Sequence, residues 1–289
     1  MIVGCRASTS DRRTLEGGAR RSRELRLRLT AIIAVRNEAL YLRRCCEHLE
    51  HHGIRFAIID NDSTDDTRDI AESFSGRGLV CVVSHPYPGF YDWTGLLTRK
   101  EHLARQLDSD WFMHLDADEI PEPPQRHDSW LERLAAVDAA GYNAINFDEF
   151  VFVPTSEGER HEGRDYVRDM HMYYFFAPRP ERLIRAWRRT DDIDLAGSAG
   201  HAAHCGNRRV FPENFVLRHY IALSMDHLRR KYLRERVYAP AEVAKGWHAM
   251  RSRITETMLQ VPPAAELVDI RSDGGWNRSH AHDRHLFVR

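Results

Sequence analysis

Short apolar segments alternate with helix-like segments between residues 29 and 115, and this alternation constrains the fold more than any other feature. Continuous apolar runs of strand length occupy residues 29–35, 56–59, 79–83 and 111–115. Such runs are typical of strands that are covered on both faces, as in parallel sheets. Between the first two runs, apolar residues recur from 39 to 49 at helical spacing. The pattern predicts an α/β fold with a mostly parallel, Rossmann-like sheet flanked by helices and joined by right-handed crossovers.

Beyond residue 120 strands and helices no longer alternate regularly. The sequence predicts a helix near 128–140, strands at 144–153 and 214–220 with a long polar loop between them, and a helix that begins after Ser224, a good N-cap residue. This part is predicted to be an α+β extension of the same domain.

The composition of the two ends predicts tails. Residues 1–28 are rich in Arg, Ser and Gly without an apolar period, so a flexible tail is expected there. The last residues, 271–289, are mostly polar and are expected to form a second tail. One domain at 29–270 remains, with halves at 29–120 and 121–270.

Charge and cysteine usage narrow the functional classes. The 42 Lys and Arg residues nearly balance the 43 Asp and Glu residues, so the chain lacks the basic field that drives non-specific nucleic-acid binding. Its five cysteines are scattered, which argues against a disulfide framework or a zinc site and favours a reducing cytoplasm. No run approaches the roughly 18 apolar residues of a membrane span, so we expect any association with a membrane to be peripheral.

A pair of carboxylates follows the fourth apolar run. Asp116 and Asp118 are separated by one residue, so their side chains can converge on one cation beyond the strand. Because carboxylate oxygens suit hard cations, we predict a site for Mg²⁺ or Mn²⁺. A cation there would neutralise charge on a bound diphosphate, which is Lewis-acid catalysis. The alternative is an acidic turn that caps the next helix.

Polar residues also follow the first two apolar runs. Asn37 and Glu38 come after the first run, and Asp60 opens an acidic loop after the second. Parallel sheets bind ligands at the carboxyl ends of their strands, so these residues are predicted to border the same crevice as Asp116. The Asp60 carboxylate could accept a hydrogen bond from the ring N–H of a base such as uracil. Simple helix capping is the alternative for this loop.

In combination, these motifs resemble those of the family 2 glycosyltransferases and their relatives with the GT-A fold. The three motifs are Asn37-Glu38 after the first strand, DNDSTDDT at 60–67 after the second and LDADE at 115–119 after the fourth. The resemblance covers roughly residues 29–120. It implies a GT-A fold and transfer of a sugar from a nucleoside-diphosphate donor, with the residues beyond 120 selecting the acceptor.

The resemblance also assigns roles to single positions. In that family the first acidic residue of the second motif reads the nucleobase, and the Asp-x-Asp pair binds the metal and the donor phosphates. These positions are Asp60, Asp116 and Asp118. A late histidine can complete the metal shell in GT-A enzymes, which makes His219 the candidate third ligand. An ordinary hydrogen-bonded histidine is the alternative.

Further positions are predicted to contact the donor. His201 ends a GSAGH loop at 197–201 that resembles a Gly/His loop in a less-studied branch of the superfamily. Its backbone could approach donor phosphates or acceptor, although a polar turn with an incidental histidine is the alternative. The full predicted donor set is Val35, Asn37, Glu38, Asp60, Asp62, Lys100, Asp116 and His201.

Some family features are missing. The loop after the first strand lacks the proline and tyrosine often found there, and no Gln-x-x-Arg-Trp signature is present, which argues against a processive polysaccharide synthase. The segment FVLRHY at 215–220 and the basic run at 229–231 resemble the same less-studied branch.

An inverting transfer would need a general base within hydrogen-bond reach of the acceptor hydroxyl. The candidates are Glu149, Asp191 and Asp194, and surface salt bridges are the alternative for all three. The histidines at 51, 52, 280, 282 and 285 are expected to be solvated surface residues, and Cys45 and Cys46 are expected to pack in the core.

The sequence therefore predicts a metal-dependent, inverting glycosyltransferase that uses a UDP-sugar or similar donor. The acceptor is a glycan, a lipid-linked molecule or a small molecule. One alternative is a nucleotidyltransferase, but the loop after the first strand lacks the glycine expected of its phosphate loop. A second alternative is a non-catalytic nucleotide- or sugar-binding module, which a carboxylate near the donor's anomeric carbon would argue against.

Overall fold

A computed structural model describes residues 27–125, 128–272 and 275–289. Most of the predicted tail at 1–28 lies outside these ranges. Its last residue, Arg28, is tied to the domain because its backbone N–H donates to Asp110 Oδ2 at 2.8 Å. None of the helices in the described ranges is long and apolar enough to cross a membrane.

The chain forms eleven strands and seven α-helices within the described residues. The strands are β1 (Leu29–Val35), β2 (Arg55–Asp60), β3 (Leu79–Ser84), β4 (Trp111–Leu115), β5 (Glu119–Glu122), β6 (Ala144–Phe152), β7 (Met172–Phe176), β8 (Ile184–Arg188), β9 (Phe215–Tyr220), β10 (Val268–Asp269) and β11 (Ala281–His282). The helices are α1 (Ala39–His51), α2 (Thr67–Glu72), α3 (Trp93–Gln106), α4 (Trp130–Ala139), α5 (Tyr166–Asp169), α6 (Met225–Arg230) and α7 (Pro240–Ala244).

The first half is a parallel sheet in the order β4–β1–β2–β3. Its central strands are covered on both faces. Side chains of α1, among them Leu42 and Cys46, pack on one face, and Leu97 and Leu103 of α3 pack on the other. This double cover is why β1 and β4 appear in the sequence as continuous apolar runs. The predicted α/β class and GT-A architecture are confirmed.

The second half continues the same sheet with a mixture of antiparallel and parallel pairs. Strand β8 pairs antiparallel with β4, and β6 then joins β8, β7 and β9. The sequence predicted β6 and β9 but assigned β7 and β8 to a polar loop. At the start of α6 the Ser224 side chain accepts from the His227 N–H, which confirms the predicted N-cap.

Residues 271–289 were predicted to form a polar tail, but part of this segment packs against the domain. Strand β11 pairs with β7, and Phe287 is 1% exposed within a cluster of apolar side chains. The ring of His285 stacks on Phe176 with centroids 4.2 Å apart, so this histidine is not a solvated surface residue. A few apolar residues near the end of the chain are enough to fix a segment whose average composition is polar.

Candidate active site

One cavity of about 880 Å³ lies at the carboxyl ends of β1 and β4 and is lined by both halves of the chain. Eight of the predicted site residues line it, namely Val35, Asn37, Glu38, Asp116, Asp118, Glu149, His201 and His219. Five others are not in its wall, namely Asp60, Asp62, Lys100, Asp191 and Asp194.

The loop after β1 is fixed to the loop after β2. Asn37 has a left-handed backbone with φ of 55°, and its Oδ1 accepts from the Thr64 N–H at 2.8 Å. The next residue, Glu38, donates its backbone N–H to Thr67 Oγ1 at 2.7 Å. Burial raises the pKa of the Glu38 carboxyl to about 7, against the opposing charge of Lys231. The two loops form one rigid wall of the cavity.

Asp60 and Asp62 stabilise the loops of this wall through hydrogen bonds and an ion pair. The Asp60 side chain is buried, accepts from the Ser63 N–H at 3.1 Å and pairs with Arg68 at 3.3 Å. Asp62 Oδ2 accepts from the Tyr87 N–H at 2.8 Å. Both carboxylates hold neighbouring loop residues and neither is in the cavity wall, so their donor contacts stay predictions.

Asp116 lies at the centre of the site, with its side chain 34% exposed. Its backbone N–H donates to Glu119 Oε2 at 2.9 Å, and its Oδ1 is 3.7 Å from Lys100 Nζ. Lys100 is completely buried behind it and donates to His114 Nδ1 and the Leu115 carbonyl. Burial lowers the pKa of Lys100 to about 8. Lys100 thus lies outside the cavity wall and contacts the Asp116 carboxylate from inside the protein, and its predicted donor contact stays a prediction.

Asp118 is almost completely buried and joins the two halves. Its Oδ2 accepts from Lys231 Nζ at 2.7 Å and lies 3.4 Å from His219 Nε2. Burial opposes ionisation, but the charges of Lys231 and His219 outweigh it and hold the pKa of Asp118 well below its usual range. The carboxylate is ionised, with two cationic neighbours.

His219 is held on its other side by Glu149. The distance from His219 Nδ1 to Glu149 Oε1 is 2.6 Å, and Glu149 Oε2 accepts from Arg182 at 2.6 Å. Burial lowers the pKa of His219, but Asp118 and Glu149 together raise it to about 10. Arg182 and His219 likewise overcome the burial of Glu149 and hold its pKa well below the usual range.

This geometry changes the roles of the three base candidates. Both carboxylate oxygens of Glu149 are engaged and its pKa is low, so it is suited to orienting His219 and not to accepting a proton. Asp191 and Asp194 are exposed and lie outside the cavity wall. Asp194 Oδ1 accepts from the Gly197 N–H at 2.8 Å, which makes it a loop-capping residue.

The predicted metal ligands come together only in part. Asp118 and His219 converge, but within the described ranges no group of three or more His, Cys, Asp or Glu side chains could hold a metal ion. Asp116 lines the same cavity without completing such a cluster.

The GSAGH loop packs against the sheet and α3. Gly200 has φ of +77°, and a Cβ there would lie 3.0 Å from Leu97 and Trp93 and 3.2 Å from His114 Nε2. The Ala199 carbonyl accepts from Trp93 Nε1 at 2.9 Å. These contacts bring His201 into the cavity wall, where burial and nearby arginines lower its pKa to about 3.

Sequence reasoning missed several cavity residues, the most important being Lys231. The chain has only three lysines, and two of them, Lys100 and Lys231, reach Asp116 and Asp118. The scarcity of lysine in the sequence was the signal that could have identified Lys231 as a site residue. Other missed residues in the wall include Arg182, Arg185, Arg251 and His285.

Comparison with known families gives one clear match. The model of glycosyl transferase family 2 matches residues 30–199, which is more than half of the chain. Among curated proteins, the lipopolysaccharide core biosynthesis glycosyltransferase LpsC of Rhizobium meliloti is 33% identical over 95 residues, covering 32% of this chain and 33% of that protein. An uncharacterized glycosyltransferase of Rickettsia bellii is 30% identical over 92 residues, covering 32% of this chain and 28% of that protein. The chain thus spans about a third of the length of these relatives.

Solved structures show more distant likenesses. The S. aureus protein TarS (residues 1–349), in complex with UDP-GlcNAc, has a TM-score of 0.45 at 13% identity, covering 80% of this chain and 69% of that one. Glucosyl-3-phosphoglycerate synthase of Mycobacterium tuberculosis, in complex with Mn²⁺, UDP and glucosyl-3-phosphoglycerate, has a TM-score of 0.29 at 17% identity, covering 43% of this chain and 44% of that one. At such scores neither likeness carries a conclusion about substrate.

Proposed function

The chain belongs to glycosyl transferase family 2, and we propose that it transfers a sugar from a nucleoside-diphosphate donor to an acceptor hydroxyl. One observation carries the proposal: the Asp-x-Asp pair lies in a cavity at the strand ends, between the loops of the first half and His219 and Glu149 of the second. Family membership makes the chain a glycosyltransferase and disfavours the nucleotidyltransferase alternative.

We propose that Asp118 and His219 hold a divalent cation, with Asp116 beside them. Carboxylate oxygens such as those of Asp118 and Asp116 suit Mg²⁺ or Mn²⁺. A histidine that binds a metal usually gives its other ring nitrogen to a carboxylate, as His219 does to Glu149. Sites with one or two protein carboxylates are typically completed by phosphate oxygens and water. Lys231 and the proton on His219 neutralise Asp118 when no cation is bound. When bound, the cation would stabilise negative charge on the departing diphosphate.

Other residues of this chain are proposed to bind the nucleoside and to position the side chains of the site. The wall around Asn37, Glu38 and Asn61 is proposed to hold the nucleoside, with UDP as the first candidate by family resemblance. Lys100 Nζ lies 3.7 Å from Asp116 Oδ1 on its buried side and is proposed to hold this carboxylate in position. Glu149 orients His219. Inversion at the anomeric carbon is also proposed from the resemblance, and NMR of the product's anomeric proton tests it.

The acceptor is proposed to be a glycan or a lipid-linked sugar. The name of the relative LpsC, a lipopolysaccharide core biosynthesis glycosyltransferase, supports this class, although the matched region covers only a third of that protein. A cytoplasmic location remains a prediction from the scattered cysteines.

The first experiment is calorimetric titration of UDP, GDP and CDP with and without Mn²⁺. We expect one nucleotide to bind in a Mn²⁺-dependent way, and Asp116→Asn to weaken that binding. This variant suits the test because Asp116 is partly exposed and its nearest cations are 3.7 and 3.8 Å away, so the fold should tolerate the change. Absence of nucleotide binding under every condition would exclude the proposed donor site. Slow hydrolysis of the matching nucleotide-sugar would distinguish an enzyme from a binding module.

A further inference from the structure

A group of arginines lines the end of the cavity that lies away from the proposed nucleoside wall. The strand order β7–β6–β8–β4–β1–β2–β3 places the loops after β1 and β2 on one side of Asp116, which follows β4. Arg182, just before β8, lies on the other side and lines the cavity. Arg251 enters the cavity wall from the C-terminal segment, where its charge acts on Arg236, which pairs with Glu38 at 3.9 Å, and also lowers the pKa of Arg182.

Arg251 is distinguished from its neighbours by its lack of an acidic partner. Arg182 pairs with Glu149 at 2.6 Å and Arg185 with Glu119 at 3.0 Å. The charge of Arg251, in contrast, interacts with Tyr232, Arg236 and other tyrosines, and among the described residues no carboxylate lies within ion-pair distance of it. A guanidinium stays charged when it is desolvated, so a partly buried arginine without a counter-ion is costly unless a ligand supplies one.

The histidines that line the cavity do not supply the negative charge that Arg251 lacks. His201 and His285 both line the cavity, and both are neutral because burial, assisted by nearby arginines, lowers their pKa values to about 3. Neutral imidazoles offer hydrogen bonds without repelling either sign of charge. These imidazoles therefore leave the charge of Arg251 uncompensated, which suits an anion that carries its own hydrogen-bond acceptors.

We propose that Arg251 binds an anionic group, a phosphate or a carboxylate, carried by the acceptor. This inference rests on the proposed function. A donor diphosphate held at Asp116 and Asp118 would leave Arg251 available to the second substrate. The planar guanidinium fork matches both phosphate and carboxylate oxygens. The favoured acceptor is thus an acidic or phosphorylated sugar.

The test is calorimetric titration of inorganic phosphate into protein already saturated with UDP and Mg²⁺. We expect the wild type to bind phosphate and Arg251→Gln to bind it about tenfold more weakly, equivalent to about 1.4 kcal/mol. Arg251→Lys should keep part of the affinity because it keeps the charge. Arg253→Gln is the matched control, since Arg253 is exposed two residues further along the same segment and does not line the cavity. Thermal melts establish that each variant is folded.

Three results would overturn the inference. Equal phosphate binding by the wild type and Arg251→Gln would remove the arginine from the site. Phosphate that binds only when UDP is absent would belong to the donor's diphosphate position. If UDP-glucuronate, but not UDP-glucose, displaces phosphate, the carboxylate enters with the donor and not with the acceptor. Failure of UDP itself to bind shows in the first titration, before phosphate is added, and counts against the proposed function instead.

Discussion

The two halves of the domain present their functional side chains in different ways. In residues 29–120 these side chains lie in loops just after strands, as Asn37 does after β1 and Asp116 after β4. In the second half two of them lie within strands, Glu149 in β6 and His219 in β9. Loop residues at strand ends are visible in a sequence, whereas polar residues inside buried strands look like interruptions of a core.

The comparison also shows that neither half makes the site alone. Asp118 of the first half is neutralised by Lys231 and His219 of the second, at 2.7 and 3.4 Å. Because these contacts are buried, they couple the stability of the domain to the electrostatics of its site. Variants that cut or keep such contacts can separate the two contributions.

The largest effect is expected when the link between the halves is cut at Asp118. Asp118→Asn leaves the Lys231 ammonium buried without its partner, which should lower the free energy of unfolding by roughly 3–5 kcal/mol. Asp118→Asn combined with Lys231→Met removes both charges and should recover most of that stability. Glycosyl transfer should stay at least about 100-fold reduced in both variants. Urea unfolding and a turnover assay measure the two quantities, and an active double variant would show that Asp118 serves only the fold.

A somewhat smaller effect is expected at Glu149, within the second half. Glu149→Gln removes the negative charge that orients His219, and divalent-cation affinity in the presence of UDP should fall by about 10- to 100-fold. Titration of Mn²⁺ followed by electron paramagnetic resonance measures this directly. Asp191→Asn and Asp194→Asn are the controls and should leave affinity and turnover within about twofold, because neither residue lines the cavity. A large loss of turnover in either control would restore that residue as a base candidate.

The loop that carries His201 is expected to respond more modestly. Gly200→Ala places a Cβ 3.0 Å from Leu97 and Trp93 at a backbone φ of +77°, so the free energy of unfolding should drop by about 1–3 kcal/mol. Gly246→Ala is the matched control, with φ of +87° and no atom within 4 Å of the added carbon. It should show the backbone strain alone. Equal losses in the two variants would mean that the close packing of Gly200 contributes nothing.

The smallest effect at neutral pH is expected at His285 in the C-terminal segment, whose contribution to stability changes only as the pH falls. Burial lowers the pKa of His285 from 6.5 to about 3, so between these values the unfolded chain binds a proton that the folded chain does not. The stability that neutral His285 contributes is present above pH 6.5 and is lost as the pH falls towards 3. His285→Phe should reduce the slope of stability against pH in this window by up to about 1.4 kcal/mol per pH unit. His280→Phe, at an exposed position, should leave the slope unchanged, and identical slopes for all three proteins would contradict the assignment.

The sequence alone determined the elements whose causes are local. The apolar runs at 29–35 and 111–115 became β1 and β4 with those bounds, and Ser224 caps α6 as predicted. Burial on both faces and capping depend on residues a few positions apart, so they leave a readable pattern. The same is true of the Asp-x-Asp pair, because its position just after a strand fixes which end of the sheet it occupies.

Only the tertiary structure decided which charges meet. Lys231 pairs with Asp118 across 113 residues, Glu149 holds His219 across 70, and the predicted tail brings His285 to the cavity wall. Composition and periodicity record whether a residue is polar, but not which buried partner neutralises it. The energy of a buried ion depends on the few groups within several ångströms, and those groups are brought together by packing of distant segments.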